Sequence, residues 1–214
     1  MNLRKLIVII SIFMSQFIYQ TYMSCVLASE LTRMQIESRL RDYLGRQADF
    51  SNLDLSGADF SGLSLANADF FSSNLNSANF NHSILDGANF TRSDMTNAHY
   101  NGASLVGAVI YAAILDNVDF SEANLTRVRI VGGGKNVRFV RALLINADLG
   151  ADPANQGMVP VRAELPSANF QGANLTHANL VHAVLTSSSF SGAIVTDARF
   201  DYAVLDGSDL QIKD

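Results

Sequence analysis

The feature that most constrains this chain is a period of five residues. From Ala48 the sequence reads ADFSN, LDLSG, ADFSG, LSLAN, ADFFS, SNLNS, ANFNH and onward to a unit ending at Gly132, giving 17 units in one unbroken frame. Four residues, 133–136, interrupt it, and the frame resumes as VRFVR, ALLIN and ADLGA. A second interruption of 11 residues, 152–162, precedes 10 further units that end at Ile212, so the total is 30. The third position of each unit is a large apolar residue throughout. The first is Ala in 20 units, Ser in five and Leu or Val in five, and it is never charged. Asp, Asn, Ser, Thr and Gly dominate the other three positions.

A period of five fits neither the two-residue alternation of a strand nor the 3.6-residue turn of a helix. A short extended edge followed by a corner, repeated, satisfies it, with two residues of each unit directed inward and three outward. A longer rhythm sets the number of edges per turn. Phe50, Phe60, Phe70, Phe80, Phe90 and Tyr100 recur every ten residues, with Leu55, Leu65, Leu75, Leu85 and Met95 between them. Two edges per turn leave no interior, and six leave a hole that these side chains cannot fill to protein density. Four edges, or 20 residues per turn, fit both rhythms. Phe60, Phe80, Tyr100 and Phe120 are then expected to stack in one column and Leu65, Leu85, Leu105 and Leu125 in another. If 133–136 and 152–162 both leave the frame as loops at corners, Phe139, Phe170 and Phe190 form a column as well. At about 4.8 Å per coil the whole array makes a rod roughly 36 Å long.

Units of the form A-[DN]-[LF]-x-x over 48–212 resemble the pentapeptide-repeat family. The resemblance implies an all-β fold, a right-handed quadrilateral β-helix with four repeats per coil. It says little about activity, because the motif residues are structural. Just before the array, residues 29–47 are expected to form an N-terminal capping helix. Ser29 is placed as its N-cap with Glu30 in the first turn, Leu31, Met34, Leu40, Tyr43 and Leu44 share one side, and Gly45 ends it. Such a helix covers the first exposed apolar layer of a solenoid.

Residues 1–28 read as a signal peptide. Arg4 and Lys5 precede an apolar run from Leu6 to Met14, Gln16 and Gln20 make the segment too polar for a span, and Val26 and Ala28 suit cleavage after Ala28. The expected destination is the periplasm or the thylakoid lumen, with membrane anchoring by an uncleaved leader as the alternative and no stable span once the leader is removed. Cys25, the single cysteine, leaves with that leader, and Tyr22 stands where a lipoprotein signal wants an aliphatic residue. One cysteine excludes a disulfide framework and a cysteine-cluster metal site. With 48% apolar and only 16% charged residues the chain is not disordered, and a net charge of -5 gives no reason to expect nucleic-acid binding.

Outward positions carry the remaining information. From Ala48 to Thr126 there are nine acids and one base, Arg92. In the second positions Asn falls between carboxylates, as in Asp59, Asn79, His99 and Asp119, which keeps like charges apart; Asp49 over Asp69 is the exception. Arg127, Arg129, Lys135, Arg138 and Arg141 follow with no acid between them, and are expected to be solvated, to bind an anion, or to partner the acidic faces within the chain. The run Gly132, Gly133, Gly134, Lys135 lacks the first Gly and the final Ser or Thr of a phosphate loop. His82, His99, His177 and His182 do not converge with further ligands, and no base and orienting acid are placed to activate a serine. No cofactor, metal or enzymatic activity is therefore expected. Ile84, Val109, Ile114, Val184, Ile194 and Val204 put apolar groups where Asp or Asn is the rule, and Val184 should lie beside Val204. These, together with a last coil that has no evident lid, predict an interaction surface for an unknown protein partner and self-association as a homodimer through the C-terminal coil. The function expected is an exported, non-enzymatic interaction or structural module. The alternative, implied by the quinolone-resistance members of the family, is a DNA-mimicking binder of a topoisomerase; the leader and the want of a C-terminal dimerisation helix after Ile212 tell against it.

Overall fold

The computed structural model describes residues 32–42, 47–151 and 162–210. The chain divides into a unit Met1–Leu31 and a unit Thr32–Asp214, and every described residue belongs to the second. The expected leader, its cleavage site after Ala28 and Cys25 lie outside the described residues, as do 152–161 and 211–214.

The five-residue period becomes a parallel β-helix. In nearly every unit the second residue forms one parallel bridge to the turn above: Asp49 with Asp69, Asp54 with Asn74, Asp59 with Asn79 and Ser64 with Ile84, each 20 positions on. Four bridge ladders, here numbered first to fourth from those starting residues, therefore climb the helix. Hydrogen bonds run between turns in both directions: Phe60 N–H donates to Asn79 O at 2.7 Å and Asn79 N–H to Ala58 O at 2.9 Å. The corners are made by the fifth residues, which adopt left-handed backbone, as at Asn52 (φ 57°), Gly62 (φ 66°) and Asn67 (φ 59°). Gly, and next to it Asn, is tolerated there because no branched Cβ meets the following carbonyl.

Third-position side chains fill the interior. Phe60, Phe80, Tyr100, Phe120, Phe139, Phe170 and Phe190 form one stacked file, with centroids 4.6–5.4 Å apart. Phe50, Phe70 and Phe90 form a second, at 5.2 and 5.0 Å. The two files meet edge to face at 5.4–6.1 Å, so each ring presents its positive rim to a neighbour's negative face. Leu55, Leu65, Leu75 and Leu85 are fully enclosed between them. Each such burial contributes about 1.5–3 kcal/mol, which offsets the ordering of a backbone that makes only short-range turns of its own. Ala at the first position lets the edge approach the core; Ser73, Ser83 and Ser93 do the same while donating to the carbonyls of Phe70, Phe80 and Phe90. The Tyr100 hydroxyl is the one buried side-chain polar group among the described residues without a hydrogen-bond partner.

The two interruptions behave differently. The second acts as an insertion at a corner: Arg138 bridges Asn169, 31 positions on, which is one turn plus the 11 extra residues, and the Phe139 and Phe170 rings still stack at 4.8 Å. The first, expected as a loop at 133–136, is not a loop. Strands β1 (Val109–Ile114) and β2 (Arg129–Gly133) pair in parallel, Tyr111 with Val131 and Ala113 with Gly132, leaving Ala112 unmatched. The chain has lost one corner residue, and GGGKN is a complete unit in a shortened turn, so Asp119 bridges Arg138 only 19 positions on. Cutting the corner pulls this edge onto the turn below. A Cβ on Gly132 would lie 2.6 Å from the Ala113 carbonyl oxygen, and one on Gly134 2.7 Å from Leu115 Cα. Glycine replaces the usual Ala and Leu because nothing larger fits.

Helix α1, Arg33–Asp42, precedes the array. Thr32 and Gln35 form its capping box, Thr32 N–H donating to Gln35 Oε1 at 2.8 Å; Ser29, the expected cap, and Tyr43 and Leu44 lie outside the described residues. The buried face also differs from expectation. Ile36 is fully enclosed while Met34 is 76% exposed. Arg33, on the Ile36 side, is what fixes the orientation: its Nη1 donates to Ser61 O at 2.7 Å and lies 3.6 Å from Asp59 Oδ2.

Candidate interaction surfaces

Asp and Asn at second positions hold their own corners. Asp49 Oδ1 accepts the Ser51 N–H at 2.9 Å, Asp59 Oδ1 that of Ser61 at 3.0 Å and Asn124 Oδ1 that of Thr126 at 3.1 Å. Where Asn stands above Asp it also donates downward, Asn74 Nδ2 to Asp54 at 2.9 Å, Asn79 to Asp59 at 3.1 Å and Asn89 to Asp69 at 2.9 Å. Sequence reasoning saw only charge spacing in this alternation; the donated hydrogen bond is a further reason for it, and the 20-residue repeat of Asp and Asn is its visible signal. The Ser51 and Ser61 hydrogen bonds hold the Asp49 and Asp59 carboxyls below their ordinary range, with smaller help from Arg39 and Arg33. Much of the acidity of 48–126 is thus engaged in keeping the coil regular.

The basic stretch is drawn into the same work. Arg129 pairs with Asp148, Arg141 with Glu122, and Arg138 lies 3.6 Å from Asp119, each joining adjacent turns. Arg162 lies 3.4 Å from Glu164. Of the expected set only Arg127, at a corner with φ 57°, and Lys135 have no ion pair among the described residues. Partnering acids of neighbouring turns is therefore the role of Arg129, Arg138 and Arg141, and five cations do not gather into one anion site. His177 Nδ1 lies 3.5 Å from Asp197, and the His182 ring stacks on Tyr202 at 4.9 Å.

Apolar outward residues fall on different ladders. Val184 bridges Val204 on the second, as expected from the 20-residue turn. Ile194 stands on the fourth, in file with Ile84 and Leu143. Beyond them the last described turn is open: Val195, Phe200, Leu205 and Leu210 point inward yet are only half-buried, whereas Phe50, Leu55 and Phe60 of the first turn are fully enclosed. The third ladder closes with Asp209. Its carboxylate accepts the Phe190 N–H and, at 2.7 Å, the Ser189 hydroxyl, which holds it below the ordinary carboxylate range. Among the described residues no group of His, Cys, Asp or Glu is placed to hold a metal ion, and no helix is long and apolar enough to cross a membrane.

Comparison with known families finds pentapeptide repeats in eight copies, matched at 46–76, 73–110, 103–132 and 163–207. A sequence comparison with curated proteins finds no match. Solved structures with a similar fold include HetL from Nostoc sp. strain PCC 7120, a pentapeptide repeat protein involved in heterocyst differentiation regulation, at 25% identity over 75% of each chain and a TM-score of 0.35. They also include trypsin-treated QnrB1, a plasmid-mediated fluoroquinolone resistance protein, at 19% identity over 76% of this chain and 83% of that one, TM-score 0.45. A third is a pentapeptide repeat protein from the Arabidopsis thaliana thylakoid lumen, at 24% identity over 77% of this chain and 71% of that one, TM-score 0.20.

Proposed function

The chain belongs to the pentapeptide-repeat family, and we propose that it is an exported, non-enzymatic module that binds a protein partner through its open C-terminal turn. The observation that carries this is the half-exposure of Val195, Phe200, Leu205 and Leu210 in the last described turn, set against the enclosed Phe50, Leu55, Phe60 and Leu65 of the first. An apolar coil end with unpaired edge groups invites another chain. Val184 and Val204 extend the apolar surface onto the adjoining ladder. In this reading the tube is right-handed and quadrilateral, a form supported by the four ladders and the 20-residue register. Helix α1 caps its other end, supported by the Ile36 burial and the Arg33 contacts. Export to the periplasm or thylakoid lumen rests on the leader sequence alone.

Two experiments test this. Mass spectrometry of the mature N-terminus with cell fractionation should find cleavage after Ala28 and an extracytoplasmic protein; retention of Met1 in the cytoplasm overturns the export. In sedimentation at tens of micromolar, with no other partner present, the open turns should pair into homodimers, and Val184→Asp with Val204→Asp should weaken that pairing. A strict monomer counts against the open end as a docking surface. The second reading, a DNA-mimicking topoisomerase binder, draws on the nine acids against one base in 48–126. It predicts inhibition of gyrase supercoiling by the purified chain, and no inhibition removes it.

A further inference from the structure

We infer that the outward face of the fourth ladder is a self-recognition surface that pairs two copies of this chain side by side and antiparallel. Ile84, Leu143 and Ile194 occupy second positions on that ladder and are 47%, 41% and 50% exposed. At this position Asp or Asn caps its own corner, as Asn124 and Asn174 do on the same ladder. An aliphatic residue forgoes that hydrogen bond, worth about 1 kcal/mol, and leaves apolar surface in water. Among the described residues these three side chains stay uncovered, so the gain is sought outside the chain.

The charge pattern selects the occupant. Over the fourth ladder's outward second and fourth positions only Asp86 is charged, and its carboxylate already accepts the Ser104 hydroxyl at 2.5 Å and the Val106 N–H at 3.1 Å. The other faces carry several charges each, among them Asp49, Asp69 and Asp148 on the first, Asp54, Asp94 and Glu164 on the second, and Asp59 and Asp119 on the third. Two copies meeting antiparallel through the second face set acid against acid, Asp94 against Glu164, at about 1 kcal/mol per close pair even in water. The first and third faces also carry Arg129, Arg199 and Arg138, of which Arg129 and Arg138 already lie against Asp148 and Asp119 of their own chain. The fourth face meets its own copy without that cost.

Register selects the orientation. The ladder runs Ile84, Ser104, Asn124, Leu143, Asn174, Ile194. With a twofold axis between Asn124 and Leu143, Ile84 faces the partner's Ile194 and Ser104 the partner's Asn174. The two Asp86 residues then lie five turns apart, about 24 Å at β-spacing and beyond the screening length. A parallel pairing would bring them together. A single face a few side chains wide falls short of the roughly 800 Å² per partner of a standard interface, so association is weak.

Sedimentation equilibrium of the full chain from about 10 µM to about 1 mM tests this. In the Val184→Asp, Val204→Asp chain, where pairing through the C-terminal turn is weakened, dimers should still form in the upper range. Leu143→Asp, and the pair Ile84→Asp with Ile194→Asp, should weaken association at least about tenfold while circular dichroism stays native, because Asp is a normal capping residue at these positions. Ile84→Lys with Ile194→Asp should restore it, since the antiparallel register sets the new cation against the new anion. On that background, association untouched by Leu143→Asp overturns the proposal, as does a Lys/Asp chain no tighter than the Asp/Asp chain, or a Val184→Asp, Val204→Asp chain that stays monomeric throughout. Val184→Asp with Val204→Asp reports on the C-terminal turn alone, so a failure there and a failure here are told apart.

Discussion

The first turn and the last described one are written in the same five-residue units, yet the third-position side chains of one are enclosed and those of the other half-exposed. Around Phe50 and Phe60 two aromatic files interlock edge to face, the third-position side chains Phe50, Leu55, Phe60 and Leu65 are enclosed, and α1 lies close by with Ile36 buried and Arg33 bonded to Ser61 O. Around Phe200 a single edge contact to Phe190 remains, at 6.0 Å, and the inward residues are half-exposed. The repeat sets register; closure comes from whatever stacks on each end. A solenoid unit draws its stability from its neighbours, so the unit with one neighbour is the weak one.

The sharpest way to break this comparison is to make the same truncation at both ends. Phe80→Ala, inside the double file, should cost about 4 kcal/mol in denaturant unfolding, while Phe200→Ala should cost about 1 kcal/mol because its ring is already part-wet. Equal losses would erase the distinction. At the level where the second aromatic file gives way to Ile110, Tyr100→Phe should stabilise by about 1 kcal/mol, raising the denaturation midpoint, since the hydroxyl is buried without a partner. Arg33→Ala should cost about 1 kcal/mol and speed hydrogen exchange of the Phe50 and Leu55 amides before those of the middle turns. Acid acts on both ends together. Asp49, Asp59 and Asp209 are held below their ordinary value of 3.8, so what they contribute is present above that pH and is lost as pH falls through their depressed folded values. Stability monitored from pH 5 down should therefore decline mainly below 3.8. The smallest effect belongs to Asn79→Asp, which removes the donor to Asp59 and sets two carboxylates side by side. It should lower stability by about 0.5 kcal/mol at low ionic strength, and added salt should shrink the loss.

Much of this architecture was legible. The ten-residue rhythm of aromatics led to the 20-residue turn, and the predicted column from Phe60 through Phe190 is the observed ring file. The displaced gap was not legible. Read along the chain, VRIVG followed by GGKN scans as well as VRIV followed by GGGKN, and only the pairing of Ala113 with Gly132 across turns decides between them. Pairing of Arg129 and Arg141 with acids 19 residues away on the neighbouring turn was hidden for the same reason, because the shortened turn moves every later residue by one. Ile36 escaped notice because the helix face was chosen by counting apolar residues; the Arg33 contacts to Ser61 and Asp59 set that face. Of the expected interaction residues, Val184 and Val204 do come together, while Ile194 faces another direction on the fourth ladder.

Eleven residues enter between 151 and 163 without disturbing a single ring above or below: Phe139 to Phe170 and Phe170 to Phe190 are both 4.8 Å. At that bend the interior keeps count only of the residues that turn inward. A foreign epitope, an enzyme domain or a fluorescent tag of almost any length could be spliced in there, carried on a rigid post whose own packing does not register the cargo.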